Sequence, residues 1–392
     1  MLLAVALQAV LLASSRLPVD GLRVPDGLAI NAHIQDFAPG EADKMADAGF
    51  QIVRTNLMWY ETEEHKGVFD FKRGDSIAIP AAAAGMRPMF ILYGNREDPF
   101  PSPSTPEEIA GFAKFAGEAA RHYARYRPIW ELWNEPDSKT FWKPSPDPRT
   151  FAKLAVATAK AIREADPSAL IIGPALTEIK YDYLKSVFDS GLLSYIDDVS
   201  IHMYREASPE NALGAYRLLS TFIQGYHPTH RIGIMCTEWG YPLTLPGISQ
   251  TRQAEYDVRM YLIGMMAGLD STAVYEWNDD TPGQGNGDWG HFALHNEDRS
   301  IRPGLTALKN LVHDLDGYRL TSYRADGPVG EYLMVFKNGA HTKVVGWTPA
   351  GDPQTEDQYF KNPTGNLHAT VDADYHGTTV HLTGMPKVVL VD

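Results

Sequence analysis

The sequence predicts an α/β chain: a (β/α)8 TIM barrel followed by a small antiparallel β module. Three observations predict it. From residue 27 onward a β-rich run, a loop and a helical pattern recur, with eight such runs before residue 278. Most of these runs are near-continuously apolar rather than alternating, as expected of parallel strands covered by helices on one side and facing a packed interior on the other. No glycine-rich phosphate loop follows the first run, which argues against an open doubly wound sheet.

The eight runs are "LAINAHI" (28–34), "FQIVRTNLMW" (50–59), "PMFILYGN" (88–95), "PIWELWNE" (128–135), "ALIIGP" (169–174), "IDDVSIHMY" (196–204), "RIGIMCTEW" (231–239) and "STAVYEW" (271–277). Helical patterns fill the gaps, most clearly at 105–124, 147–165 and 249–268. Thr105-Pro106 and Asp147-Pro148 each place an N-cap residue before a proline at the first helical position, a helix-start signal. The rhythm changes near residue 318. From there short β-rich runs such as "EYLMVFKNG", "TKVVGWTP" and "PKVVLVD" are separated by Gly, Asn, Asp and Pro turns with no long helix between them. The predicted organisation is an apolar N-terminal segment at 1–20, a catalytic barrel at 27–316, and a small β-sandwich-like module at 317–392 that packs on the barrel.

The chain has 392 residues and a formal net charge of −14. No basic stripe is visible, so nucleic acid and other polyanions are poor partners, and a neutral or cationic substrate fits better. A single cysteine, Cys236, rules out an intrachain disulfide and reads as a buried small residue. The N-terminal "MLLAVALQAVLLASS" is of signal-peptide length but lacks a basic residue after Met1. It is read as an export signal or its remnant, against a buried N-terminal helix, and implies a secreted or periplasmic protein. No other segment is long and apolar enough to span a bilayer.

In such a barrel the chemistry sits where strands end and helices have not begun. The polar and aromatic residues at those ends are Arg54, Asn56, Trp59 and Glu63, then Tyr93 and Asn95, Asn134 and Glu135, His202 and Tyr204, Glu238 and Trp239, and Glu276, Trp277 and Asn278. Carboxylates at the ends of the fourth and seventh strands can converge on one cavity. Glycoside cleavage with retention needs two, one as acid and one as nucleophile, about 5–5.5 Å apart. One must be protonated and the other ionised, and a nearby arginine separates them. Arg54 and Tyr204 are candidates to hold Glu238 ionised and oriented, while Arg54 also fits a buried structural ion pair. Asn134 could donate to a sugar 2-hydroxyl. Trp59, Trp142, Trp239 and Trp277 offer flat faces for sugar stacking. His202 is read as supporting rather than chemical, and Glu276 as a strand-eight partner. Tyr60, Glu63, Trp142 and Trp289 are candidates for the rim.

These residues carry a resemblance. "WELWNEPD" resembles the strand-four signature of the clan A (4/7 superfamily) retaining glycoside hydrolases, "MCTEWGY" their strand-seven signature, and "SIHMY" their His-x-Tyr of strand six. The two glutamates are 103 residues apart, with two strand-helix units between. "IVRTNLMWYETEEHKGVFDF" is similar to the second-strand region of families 39 and 5, and "GHFALHNEDRSIRPGLTAL" to the segment before their last helix. The β module points to family 39, and within it to bacterial exopolysaccharide endoglycosidases of the Psl-degrading kind. The resemblance implies a retaining, endo-acting hydrolase of a polysaccharide or oligosaccharide that needs no cofactor. It implies Glu135 as acid/base and Glu238 as nucleophile, with Asn134, Arg54, His202, Tyr204 and Trp277 around them.

Two other classes remain. A metal-dependent barrel hydrolase would want a His-x-His on the first strand, where only His33 is present. A non-catalytic carbohydrate-binding barrel would keep the aromatic cleft, but would more often have lost one of the two glutamates.

Overall fold

The computed structural model describes residues 22–95, 101–279, 290–325, 330–362, 370–375 and 378–391. The apolar N-terminal segment and Trp289 lie outside these residues. The eight runs form the parallel strands of a closed barrel in chain order. They are β1 (Leu28–Asn31), β2 (Ile52–Met58), β3 (Arg87–Tyr93), β4 (Ile129–Leu132), β5 (Leu170–Leu176), β6 (Asp198–His202), β7 (Gly233–Trp239) and β8 (Ser271–Val274). Closure runs from β8 back to β1 through Leu28↔Thr272, Ala29↔Ala273 and Ile30↔Val274. The predicted fold class is therefore the observed one.

Strand periodicity sorts the apolar residues into two cores. Ala29, Ile52, Met89, Ile129, Ile172, Met235 and Ala273 fill the barrel interior. Their neighbours in sequence, such as Leu28, Ile30, Val53, Trp130 and Cys236, belong to the outer core beneath the helices. Cys236 is fully buried there, and desolvation pushes its thiol up to about 12, so it is an inert packing residue.

The helices around the barrel are α1 (Glu41–Asp47), α2 (Trp59–Thr62), α3 (Lys72–Ala83), α4 (Pro106–Tyr123), α5 (Pro148–Ala165), α6 (Tyr181–Asp189), α7 (Asn211–Gln224), α8 (Gln250–Ala267) and α9 (Pro303–Leu315). The two proline-marked starts are real caps. The Thr105 hydroxyl accepts from the Glu108 amide, and the Glu108 carboxylate accepts from the Thr105 amide, which closes a capping box on α4. The Asp147 side chain accepts from the amides of Arg149 and Thr150 at the start of α5.

After α9 the chain forms β9 (Arg319–Ala325), β10 (Tyr332–Asn338), β11 (His341–Trp347), a short α10 (Glu356–Lys361), β12 (Val371–Tyr375), β13 (Thr378–Leu382) and β14 (Lys387–Leu390). Four of these strands make an antiparallel sheet in the order β14-β11-β10-β9, and β12 and β13 pair as a hairpin. The two-residue period of β10 assigns its faces. Leu333 and Val335 pack with Val380 and Leu382 of the hairpin, while Tyr332, Met334 and Phe336 join the barrel's outer core. One sheet thus bonds a hairpin on one face and the barrel on the other.

This cover explains α8. Its polar residues Arg252, Gln253, Glu255, Asp257 and Arg259 would normally mark a solvated face, yet all are buried. Arg259 donates from Nε to Glu210 at 2.8 Å and from Nη1 to Asp352 at 2.7 Å. Arg252 reaches Asp352 at 3.1 Å, and the Trp347 indole N–H donates to Glu210 at 2.8 Å. Arg259→Ala leaves Glu210 with only a neutral donor, Trp347, and Asp352 with Arg252 as its one cation, and is expected to cost about 3–5 kcal/mol, whereas Arg259→Met together with apolar replacements of Glu210 and Asp352 should cost far less. Denaturant unfolding of the variants checks this.

Candidate active site

Arg54 stands at the centre of the barrel mouth. Its guanidinium is buried and donates to side chains from around the barrel. Nε donates to Glu131 at 2.6 Å, Nη1 to Asn31 at 2.8 Å and to Glu238 at 2.6 Å, and Nη2 to Asn134 at 3.0 Å. Nη2 also lies 3.4 Å from Nε2 of His202. Arg54 thus forms a buried ion pair with Glu131 and at the same time holds Glu238. Because Arg54 only donates, the Asn134 oxygen is the atom facing it, which leaves the amide nitrogen to donate elsewhere.

Local backbone distortions aim the two carboxylates. Met235 points into the barrel, so strict alternation would send Thr237 and Trp239 inward and Glu238 outward. Instead the register of β7 shifts against β6 between Ile201 and His202, and against β8 between Cys236 and Trp239. The irregularity changes phase at the strand end, turning Glu238 toward Arg54 and Trp239 into the outer core. On β4, Ile129 and Glu131 follow the inward phase. Beyond it Trp133 and Glu135 adopt left-handed backbone, with φ of 72° and 44°. Such conformations cost of the order of 1 kcal/mol or more each. The Trp133 indole donates to the Phe141 carbonyl at 3.0 Å, and the Glu135 amide donates to the Ala175 carbonyl at 2.9 Å, which holds the turn.

Glu238 and Glu135 then sit in different surroundings. Tyr204 donates to the second oxygen of Glu238 at 2.8 Å. Burial works to raise the Glu238 carboxyl, but His202, Arg54 and the Tyr204 hydrogen bond outweigh it and hold the group below the usual carboxylate range. Nδ1 of His202 lies 2.9 Å from Glu135 Oε1 and 3.5 Å from Glu238 Oε2. Burial disfavours the His202 imidazolium, but the two glutamates more than offset this and raise its pKa. A hydrogen on Nε2 would face the guanidinium, so the tautomer with Nδ1–H directed at Glu135 fits the geometry.

Arg54, Asn134, Glu135 and Glu238 border a cavity of about 270 Å³ whose walls also include His33, Tyr93, Phe141 and Tyr275. His33 is tied to Glu276 at 2.8 Å, so Glu276 is a strand-eight partner as expected. Glu135, His202 and Glu238 could also hold a metal ion, since one donor atom of each lies within 4.8 Å of the others.

A family model for cellulase, glycosyl hydrolase family 5, matches residues 38–214. A β-xylosidase of Geobacillus stearothermophilus is 24% identical over 243 residues, which cover 54% of this chain and 48% of that protein. The chain thus spans about half the length of that curated relative. A family 39 glycoside hydrolase from Bacteroides cellulosilyticus superposes with a TM-score of 0.76 at 19% identity, over 93% of this chain and 81% of the other. A family 39 β-xylosidase from Caulobacter crescentus gives 0.65 at 20% identity, over 86% and 80% of the two chains. The chain resembles the clan A glycoside hydrolases. The superpositions establish a shared fold, and the motif-based resemblance to families 39 and 5 holds.

The mouth brings Glu135, Glu238, Arg54, Asn134, His202 and Tyr204 together. It does not gather the four tryptophans. Trp59 lies against Phe112 and Phe115 of α4 with its indole N–H donated to Glu63 at 2.6 Å. Trp142 sits between Trp133 and Phe151, Trp239 between Tyr216 and Tyr241, and Trp277 between Phe50 and His295. All four are at most 4% exposed. The expectation of flat stacking faces is therefore corrected: the large apolar rings are consumed by the outer core. The aromatic walls are Tyr93, Phe141 and Tyr275 instead. Asn31, His33, Glu131 and Tyr275 were missed as site residues. Glu131 had a legible signal, a charge two residues past Ile129 on the inward phase of an apolar run.

Tyr204→Phe removes one of the donors that favour the Glu238 carboxylate. The folded-state pKa of Glu238 should therefore rise toward its ordinary value, and a carbon-13 NMR titration of the glutamate carboxyls reads that shift directly.

Proposed function

We propose that this chain is a retaining glycoside hydrolase that cleaves O-glycosidic bonds of a polysaccharide or oligosaccharide by double displacement. The observation that carries the reading is the pair Glu135 and Glu238. They come from opposite sides of the mouth, and their nearest oxygens approach within 4.8 Å. So close an approach suits the roughly 5–5.5 Å separation of the two carboxyl groups in retaining enzymes. The similarity to glycosidases supports the same reaction class.

In this reading Glu238, held ionised by Arg54 and Tyr204, attacks the anomeric carbon and forms a glycosyl ester. Glu135 accepts the His202 N–H on one oxygen and delivers a proton from the other to the departing glycosidic oxygen. In the second half Glu135 takes a proton from water, which attacks the anomeric carbon and releases Glu238. Asn134 is placed to donate from its amide nitrogen to the sugar hydroxyl next to that carbon. The chemistry calls on no cofactor, and the acidic chain suits a neutral sugar polymer.

Endo action on a bacterial or other polysaccharide, outside the cytoplasm, is the finer part of the proposal. It is supported by the motif resemblance to exopolysaccharide endoglycosidases and by the apolar run at residues 1–15. The β-xylosidase similarity favours the exo alternative. Product sizes from a panel of polysaccharides and aryl glycosides separate the two.

Glu238→Gln should abolish turnover on every accepted glycoside, and a variant that keeps the wild-type rate overturns the nucleophile assignment. Glu135→Ala should slow natural substrates by roughly 10²–10⁴-fold while sparing the first step on aryl glycosides with good leaving groups. The Glu135-His202-Glu238 triplet gives the metal reading one observation of its own. Against it, both Glu238 oxygens already accept, from Arg54 and Tyr204. Loss of activity on chelation with recovery on Zn²⁺ would favour the metal reading. Oligosaccharide binding without any cleavage would favour a binding barrel.

A further inference from the structure

The β module does more than cover α8. Its segment 353–356 grips the loop that follows β6, and that loop carries Tyr204. The Glu356 carboxylate accepts from the amide of Glu206 at 3.1 Å and from the amide of Ala207 at 3.3 Å. The Pro353 carbonyl accepts from the Ser208 amide at 2.9 Å. Gln354 accepts from the Ser208 hydroxyl at 3.0 Å, and its carbonyl accepts from the Asn211 side chain at 2.7 Å. On the barrel side, the Tyr241 hydroxyl donates to the Ala207 carbonyl at 2.7 Å. The grip therefore begins two residues after Tyr204, whose hydroxyl bonds Glu238 at 2.8 Å.

The carboxyls of Glu206 and Glu356 also meet. Their hydrogen bond, followed by burial, raises the Glu206 carboxyl to about 7, with Arg205 opposing the shift. Tyr359 of α10 feels both carboxylates. Below neutrality Glu206 thus carries a proton toward Glu356 and adds a further tie.

We propose that Glu356, supported by Gln354, is a positioning residue for the active site: from the β module it fixes the backbone after Tyr204 and so fixes the hydroxyl that orients Glu238. The inference rests on the proposed role of Glu238 as nucleophile. It assigns the module a part in the chemistry that covering a helix would not require. Small misplacements are costly in such sites, with an ångström worth on the order of a hundredfold in rate.

The test is a double-mutant cycle of Glu356→Ala with Tyr204→Phe, with Glu356→Gln as the conservative variant and denaturant unfolding run on each protein. Glu356→Ala is expected to lower kcat on the order of tenfold and to move the acidic limb of kcat/KM to higher pH, the direction set by Tyr204→Phe. Glu356→Gln should recover part of both effects, since its amide oxygen still accepts one backbone N–H. In the double variant the limb should move no further than in Tyr204→Phe alone. A loss of stability with the limb unmoved, or limb shifts that add, overturns the proposal. If the wild-type chain cleaves no glycoside, the functional reading fails and amide hydrogen exchange decides the positioning separately. Glu356→Ala must then accelerate exchange in residues 203–211 and leave 233–239 at the wild-type rate. Unchanged exchange in 203–211 overturns the proposal.

Discussion

The structure depends on one buried guanidinium. Arg54 leaves water at the barrel mouth, and a charge so buried is tolerated only when its donors are matched. Glu131 and Glu238 supply two carboxylates, and Asn31 and Asn134 supply two neutral oxygens. The partners come from β1, from β4 and the turn after it, and from β7, while Arg54 itself is on β2. One charge network therefore joins strands across the mouth and sets the ionisation of Glu238. A lysine could not replace it, because an ammonium lacks the planar fork that reaches four oxygens at fixed angles.

The second constraint is backbone geometry at the strand ends. A regular strand delivers every other side chain to the interior, which serves packing but not convergence. The shift at the end of β7 and the left-handed residues after β4 break the alternation where Glu238 and Glu135 meet. The same distortions send Trp133 and Trp239 outward, where they fill the outer core. Packing of large rings and aiming of small polar groups are thus two results of one local change.

The β module completes both core and site. It buries the polar face of α8 through the Arg259, Glu210 and Asp352 network, and it holds the loop behind Tyr204. Glu210 belongs to that same loop and accepts from Trp347 of the module. The charges that fasten the module therefore lie a few residues from the hydroxyl that holds Glu238.

Much of this was legible in the chain itself. The eight apolar runs carried the barrel, because parallel strands buried on both faces leave a plain compositional trace. Thr105-Pro106 and Asp147-Pro148 marked helix starts, because capping is a contact between neighbours in sequence. Glu135 and Glu238 were marked by position, since strand ends in such a barrel face a common mouth. What the sequence could not decide was phase and partnership. Whether Trp239 or Glu238 faces the cavity turns on an irregularity stabilised by β6 and β8. Whether Trp59, Trp142 and Trp277 stack on a sugar or on the core turns on which distant rings surround them. The partners of Arg54 lie 23 to 184 residues away, and the grip on the Tyr204 loop spans about 150. Local pattern encodes which residues can be buried. Only the closed barrel and its module decide against what, because those contacts exist only once the strands have met.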